Sequence, residues 1–264
     1  HLMPDIDAMD YAYNTSRAIP CNNDDGSLFY YDTYKGSYRS HGNRLYYNIL
    51  NEMGETGQSG RVNQLAAQLH LEWKIWGGIE YKLNVSYQNN HTMKKSWATE
   101  DSFYVSEKRG YSKEFYKTYE PLAKDDKTKE QVKDDSQIPV GGIYTKNTSQ
   151  SDTYTVQNTL EFNRTIGYDH TVNLMAVSEI RQVKVDGLSG TYYGWQSERG
   201  ETFNPVITTG YTKLLTGGTL NPVLTKSTQN YVSWIFTASY SYKDKFIVNG
   251  NMRMDGSNQF GSNP

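Results

Sequence analysis

The sequence predicts an all-β fold, an antiparallel up-and-down sheet of the kind that forms a segment of a transmembrane β-barrel, and three observations predict it. Three segments alternate apolar and polar residues around a short turn, with arms of about ten residues or more, where strands of soluble sheets average about five or six. The turns inside these hairpins are tight and the segments joining them are long, so tight turns gather on one edge of the sheet and long loops on the other. Aromatic side chains crowd the arm ends nearest the tight turns, as in the girdle at a membrane interface. Alternation alone is shared with any half-buried sheet; the asymmetry of turns and loops points to an outer-membrane barrel, with short periplasmic turns and long extracellular loops.

Composition bounds the reading without deciding it. A chain of 264 residues allows one large domain or two ordinary ones. Lys+Arg 27 against Asp+Glu 29 gives no electrostatic footprint for nucleic acid. Tyr is frequent at 23 and aromatics reach 14%, which suits strands and amphipathic surfaces. The single cysteine, Cys21, excludes an internal disulfide or a multi-cysteine metal site and reads as a chance thiol. No run approaches the ~18 apolar residues of a membrane helix, and His1 to Asp10 lacks the basic start and apolar core of a signal peptide. The mean hydropathy of -0.77 does not argue against a barrel, whose lipid-facing residues are only every second one.

Taken in order, the first sixty residues are rich in turns, with breaker clusters at Cys21 to Ser27 and Gly54 to Gly60. Between them Leu28 to Tyr38 carries many tyrosines, and Leu45 to Leu50 suits either a short helical turn or an extended piece. The first hairpin, Arg61 to Gln88, sets the pattern. Leu65, Ala67, Leu69, Leu71, Trp73 and Ile75 share one face, and Ile79, Tyr81, Leu83, Val85 and Tyr87 answer on the return. A three-residue connection, Trp76 to Gly78, sets Ile75 opposite Ile79, Lys74 opposite Glu80 and Glu72 opposite Lys82; a two-residue loop would mix the faces.

Asn89 to Ser151 is polar, holds the charge-dense Lys124 to Asp135, and reads as an exposed loop. The second hairpin places Tyr154, Val156, Leu160 and Phe162 on one face, turns near Gly167 to Asp169, and returns through Val172, Leu174 and Ala176, with Thr165 facing Thr171. A further long stretch from about Gln182 to Asn230 precedes the third hairpin. There Val232, Trp234, Phe236, Ala238, Tyr240 and Tyr242 line one face, Lys243 to Lys245 turn, and Phe246, Val248, Gly250 and Met252 return. The polar side, including Ser233, Thr237, Asn249 and Arg253, is interrupted by Ile235 and Ile247. The aromatic edge comprises Trp73, Trp76, Tyr81, Tyr240, Tyr242 and Phe246.

The third hairpin and its exit, Ala238-Ser239-Tyr240-Ser241-Tyr242-Lys243-Asp244-Lys245-Phe246 through Arg253-Met254-Asp255-Gly256-Ser257-Asn258-Gln259-Phe260-Gly261, resemble the SusC/RagA-type TonB-dependent outer-membrane transporters. That family shows a Tyr-Ser-Tyr-Lys-Asp-Lys-Tyr turn and then Arg-Asp-Gly-Ser-Ser-Arg-Phe-Gly as the strand leaves the membrane. Gly141-Gly142, Tyr154, Leu160, His170 and Glu179-Ile180-Arg181 are similar to its second hairpin, and Pro20 to Ser27 to its Asn-Glu-Asp-Gly-Ser tip. Val177 stands where the family has Gly, and Asn258-Gln259 replaces Ser-Arg.

The resemblance covers the middle of such a transporter, so residues 1–264 are expected to be part of one barrel domain, without the signal peptide, TonB box, plug and later strands. About six strands do not close a barrel of roughly 22. The resemblance implies import of a large nutrient, a glycan or oligopeptide, with a SusD-like surface lipoprotein over the mouth and TonB acting through the plug. No cofactor is implied. His70, Glu72, Lys74, Glu80, Lys82 and Arg253 would then face the lumen, and the opposite face outer-membrane lipid.

No catalytic arrangement is visible: the five His residues are scattered, and there is no zinc spacing, phosphate loop or nucleophile elbow. The pairs Asp24-Asp25, Asp125-Asp126 and Asp134-Asp135 lack calcium-loop spacing and read as solvated charge. The candidate contacts for ligand or lid are loop aromatics, Trp97, Phe103, Tyr104, Tyr111, Phe115 and Tyr116 in one loop and Tyr192, Tyr193 and Trp195 in the next, since flat rings stack on sugars or pack on a protein. The same rings could instead pack the loops on one another. The rival functions are a soluble or surface-displayed β-sheet glycan-binding module and a fragment of a glycan-processing enzyme, which would need paired carboxylates across a cleft.

Overall fold

The computed structural model describes residues 7–36 and 43–260. Tyr38 of the tyrosine-rich segment, Gly261 of the exit motif and the first six residues of the chain lie outside the described residues. The contacts divide the chain into two units, one comprising His1–Arg61, Met93–Asn147 and Ser189–Val223, the other Val62–Thr92, Thr148–Leu188 and Leu224–Pro264. All three tight turns fall in the second unit and every long connection in the first.

The elements begin with helix α1 (Ala8–Asn14), capped by the Asp7 carboxylate, and a two-strand ladder, β1 (Tyr31–Asp32) with β2 (Tyr46–Tyr47). Helix α2 (Ile49–Glu55) follows, its first turn held by the Asn48 side chain, so Leu45 to Leu50 is extended and then helical. The chain then enters β3 (Thr56–Trp76) and β4 (Ile79–Ala98). Helices α3 (Phe103–Arg109), α4 (Lys113–Thr118) and α5 (Lys129–Asp134) lead to β5 (Gly142–Ile166) and β6 (His170–Gln196). Short β7 (Thr202–Phe203) and helix α6 (Thr209–Thr216) precede β8 (Val223–Tyr242) and β9 (Phe246–Ser257).

The main sheet runs β3-β4-β5-β6-β8-β9, with β7 added beside β6. Every long strand lies next to its sequence neighbour, which is the up-and-down order expected, and no barrel closes among the described residues. The third hairpin pairs Tyr242 with Phe246 and continues to Tyr231 with Ser257, which keeps the turn and the two faces expected from the sequence. Its turn is closed by Lys245 N–H donating to Tyr242 O at 3.0 Å, with Lys243 and Asp244 at φ 54 and 51. This left-handed turn matches the twist of the strands, although each non-glycine residue there costs about 1–2 kcal/mol. In the second hairpin the Thr165 and Thr171 hydroxyls meet at 3.3 Å, as the alternation required.

The first hairpin differs in one detail. Strand β3 extends through Trp76, leaving only Gly77 and Gly78 between the arms, both at positive φ (62 and 90). The faces are nevertheless not mixed. His70 Nδ1 lies 2.6 Å from Asn84 Oδ1, and Thr99 N–H donates to Glu55 O at 2.8 Å, both pairs of the expected register. At the same register the Trp97 ring lies directly over Gly57, where any Cβ would collide with it. Neighbouring turns are tied together: Asn163 N–H donates to Gly78 O at 2.8 Å and Lys243 N–H to Asp169 O at 2.7 Å.

Two stretches expected as loops are ordered. Asn89 to Ser151 is not an exposed loop, because β4 runs on to Ala98, three capped helices follow, and Val105 and Val132 are fully buried. Ser102, Ser112 and Thr128 cap these helices, Thr128 with Gln131 in a capping box. The segment from Gln182 likewise stays in β6 as far as Gln196. In the first unit Ala98, Val105, Ile138, Ile143 and Tyr193 form one core, and Tyr111, Tyr119 and Val132 a second.

Two strands of the second unit, β5 and β8, are built inside out. Along β8 the apolar residues Val232, Trp234, Phe236, Ala238 and Tyr240 are exposed, while Ser233, Thr237, Ser239 and Ser241 between them are half-buried. Tyr154, Val156 and Leu160 of β5 are exposed in the same way, whereas in β3 Leu65, Leu69, Leu71 and Trp73 are exposed along with the polar residues between them. At the tight-turn edge Trp76 is 82% and Phe246 69% exposed. Burying one such side chain is worth about 1.5–3 kcal/mol, so continuous rows of them facing outward demand an apolar surrounding.

Candidate functional site

Two sets of side chains are candidates, the polar face of the sheet in the second unit and the ringed clefts of the first. On the polar face Lys82 joins Glu161 of β5 at 3.0 Å and Glu80 at 3.2 Å. His70 meets Asn84, and Asn84 Nδ2 donates to Gln157 Oε1 at 3.2 Å. Glu72 approaches His70 Nε2 at 3.9 Å and Lys74 Nζ at 4.0 Å, both along its own strand. Within 4 Å the charges pair along β3, along β4 and across to β5, where Glu161 gives Lys82 its closest partner, while Glu80 still interacts with Lys74 and Glu72 across the hairpin. Arg253 belongs to a separate group, with Nε 2.8 Å from Asp255 Oδ2, and Ser233 Oγ donates to Asp255 at 2.6 Å. Arg181 stacks over the Tyr231 ring at 4.6 Å.

Sequence reasoning passed over Asn84, Gln157, Glu161, Arg181 and Asp255. Their signal was parity, since each occupies the same alternating face as the residues singled out. These groups make two hydrogen-bonded patches of mixed charge on the polar face.

The loop aromatics divide by burial. Tyr111 is buried and stacks on Tyr116 at 5.2 Å; burial pushes the Tyr111 phenol up to about 12. Tyr193 is buried in the core beside Tyr104, and Trp195 is 6% exposed, 5.6 Å from Tyr144, with its indole N–H unpartnered among the described residues. Trp97 is half-buried over Gly57. Phe103 packs edge-on to Tyr47 at 5.2 Å and Phe115 against Tyr119 at 4.9 Å. Tyr192 is 44% exposed beside Phe203, centroids 5.6 Å apart, so of the second loop's rings it is the accessible one. Packing of loops on themselves therefore accounts for Tyr111, Tyr193 and Trp195.

Clefts open among these loops. One of about 360 Å³ is walled by Tyr11, Tyr47, Phe103 and Tyr104 with Asp10 and Glu107. A second, of about 490 Å³, is lined by Tyr30, Tyr46, Asn51 and Arg109, and a third, of about 300 Å³, by Trp195, Gln196, Glu198 and Arg199; both include Glu100, Asp101 and Lys113. Lys113 sits between the two carboxylates, 3.5 Å from Glu100 and in direct contact with Asp101. Arg109 is buried, donating to Glu100 O at 2.9 Å, and desolvation lowers its pKa. Glu52, also buried, accepts from the Phe103 and Tyr104 backbone N–H groups, yet desolvation still holds its carboxyl above the usual range. The Thr209 hydroxyl and N–H hold Asp134 below it.

Among the described residues no three His, Cys, Asp or Glu side chains are grouped to hold a metal ion, and no helix is long and apolar enough to cross a membrane. The acidic pairs have local partners: Asp25 with Ser27, Asp126 with the Leu122 and Ala123 N–H groups, Asp134 with Thr209, and Asp135 with Lys127.

No protein-family model and no curated protein sequence matches the chain. Solved structures do match in fold. The structure of the RagAB peptide transporter aligns with a TM-score of 0.62 and 14% identity over 90% of this chain. The RagAB peptide importer in its closed-closed and open-open states gives TM-scores of 0.59 with 15% and 14% identity. This chain spans 22% of the length of each of those chains.

Proposed function

We propose that this chain is the barrel-wall portion of a TonB-dependent outer-membrane transporter that imports a large nutrient, an oligopeptide or a glycan. The observation that carries the reading is the inverted burial of β5 and β8, with apolar residues outward and a hydrogen-bonded polar network on the other face. Against lipid such rows are at home, and the polar face then lines the lumen, with His70, Glu72, Lys74, Glu80, Lys82 and Arg253 toward plug or substrate. The fold likeness to peptide-transporter chains and the family resemblance of the third hairpin support it.

In this reading the tight turns are periplasmic and the ringed, helical segments extracellular. The segments would meet substrate and a SusD-like lipoprotein lid, with the exposed Tyr192 and the half-buried Tyr104, Tyr116 and Trp97 as the candidate rings, while TonB acts through the plug. Nothing in the polar face or the clefts assembles a nucleophile with a base, so the role assigned is transport and not turnover. The full-length protein, expressed in a host with and without a working TonB system, tests this. The expected result is residence in the outer-membrane fraction and TonB-dependent accumulation of labelled oligopeptide or oligosaccharide. Recovery of the full-length chain as a detergent-independent soluble protein would reject the reading.

A further inference from the structure

The cleft of about 360 Å³ in the first unit carries charge of one sign only. Its walls are the Tyr11, Tyr47, Phe103 and Tyr104 rings, and its charged lining is Asp7, Asp10, Glu52 and Glu107, with no basic side chain among the described lining residues. The positions follow from helical spacing: Asp7, Asp10 and Tyr11 stand three and four residues apart at the start of α1, and Phe103 and Glu107 four apart on α3. Tyr47 packs edge-on to Phe103 at 5.2 Å and tilted against Tyr11 at 5.8 Å. Rings meeting at such angles enclose a small group and offer no flat platform for a sugar.

The chain's own lysines show what these groups recognise. Lys35 Nζ lies 2.7 Å from Glu107 Oε1 and 5.5 Å from the Phe103 ring centre, and Lys108 Nζ lies 5.7 Å from that of Tyr104, although neither lysine lines the cleft. On the α1 side no ammonium answers. Asp7 accepts from the Met9 and Asp10 N–H groups and Asp10 from Asn14 Nδ2 at 2.8 Å, and among the described residues neither carboxylate forms an ion pair. Glu52 is buried with its carboxyl held above the usual range by desolvation, a cost that a neighbouring cation lowers. No three of these carboxylates are grouped to hold a metal ion, so the cation that fits is an organic one, with rings to face it and a carboxylate to accept its N–H groups.

We infer that this cleft binds a primary ammonium group of an oligopeptide, a lysine side chain or the amino terminus, between the Tyr11 and Tyr47 rings and the Asp10 carboxylate. The inference rests on the transporter reading above and deepens it, since a neutral glycan has no charge to match the cleft and a peptide bearing an ammonium group does.

The test is calorimetric titration of the full-length protein with an acetylated, amidated glycine peptide carrying one central lysine, the same peptide with norleucine for lysine, and the norleucine peptide without its acetyl cap. An ammonium-bearing peptide should bind about tenfold tighter than the capped norleucine peptide, as one charge-assisted contact implies. A gain from the lysine assigns the side chain, and a gain from the uncapped terminus assigns the α-ammonium. Asp10→Asn, which keeps an acceptor for Asn14 Nδ2, should erase that preference and leave the capped norleucine peptide unaffected. Tyr11→Leu should reduce it about two- to fivefold. Equal binding of the three peptides, or a preference that both substitutions leave intact, would overturn the inference. So would displacement of the lysine peptide by a neutral malto-oligosaccharide in the wild type and Asp10→Asn alike, which would assign the rings to sugar. Membrane residence of the same protein is scored separately: a chain in the outer membrane without the preference loses the site and keeps the transporter reading, and a soluble chain with the preference does the reverse.

Discussion

Replacing Leu69 by Arg asks the sheet to carry a charge on its outward face. Leu69 is 53% exposed and lies four residues from Trp73 on the same face of β3. At about 3.4 Å per residue and a tilt of about 40°, that is roughly 10 Å below the aromatic level, close to the middle of an apolar band about 25 Å tall. An arginine at that depth costs about 2–4 kcal/mol. Gln68→Arg places the same charge one residue away on the polar face and should cost little. Equilibrium unfolding of the full-length barrel in phospholipid vesicles, followed by tryptophan fluorescence, measures both. Equal costs for the two variants, or a Leu69→Arg cost well under the stated range, would refute the assignment of faces.

Four further outcomes follow from the loops and the network. Gly57→Ala should destabilise by about 1–3 kcal/mol through overpacking against the Trp97 ring; a double-mutant cycle with Trp97→Ala should show the penalty largely relieved, and additive effects would remove the Trp97 contact as its cause. Tyr192→Ala should weaken binding of an oligopeptide or oligosaccharide with unchanged assembly, whereas Trp195→Ala should loosen the loop core by about 3–5 kcal/mol, seen as faster local proteolysis. Unchanged binding in Tyr192→Ala would assign that ring to packing alone. Because burial raises the Glu52 carboxyl, the folded state holds its proton above the ordinary carboxylate range, and its contribution to stability is lost as pH rises from there through the raised folded value. Glu52→Gln should therefore abolish that decline, measured by hydrogen exchange at the Phe103 and Tyr104 amides; an identical pH slope in the variant would exclude Glu52 as its source.

The hairpins were legible because a period of two, read over ten or more residues, admits one register and a wrong slip is visible at once. Thr165 against Thr171 and the turn at Lys243 to Lys245 came from residues alone. The connecting segments were less legible for a physical reason: α3, α4 and α5 are seven, six and six residues long, too short for helical periodicity. Their caps were the available signal, Ser102, Ser112 and the Thr128 to Gln131 box. On the polar face the residue choice was sound in parity but not in partners. Lys82 turned to Glu161 of the neighbouring hairpin, and no within-hairpin pattern encodes that choice. Burial of Tyr193 and Trp195 was likewise hidden, because β6 continues through them where the sequence suggested a loop.

The central claim is that the apolar face meets lipid, and a cysteine scan of β8 from Tyr231 to Ser241 tests it most directly. Cys21, the single cysteine of these 264 residues, and any cysteine elsewhere in the full-length protein are first replaced by Ser, and native outer membranes are labelled without detergent. Cysteines at Val232, Trp234, Phe236, Ala238 and Tyr240 should react with a lipid-soluble reagent, and those at Ser233, Thr237 and Ser239 with a small aqueous one. Even positions protected from both reagents, as in the core of a soluble sandwich, would contradict the account.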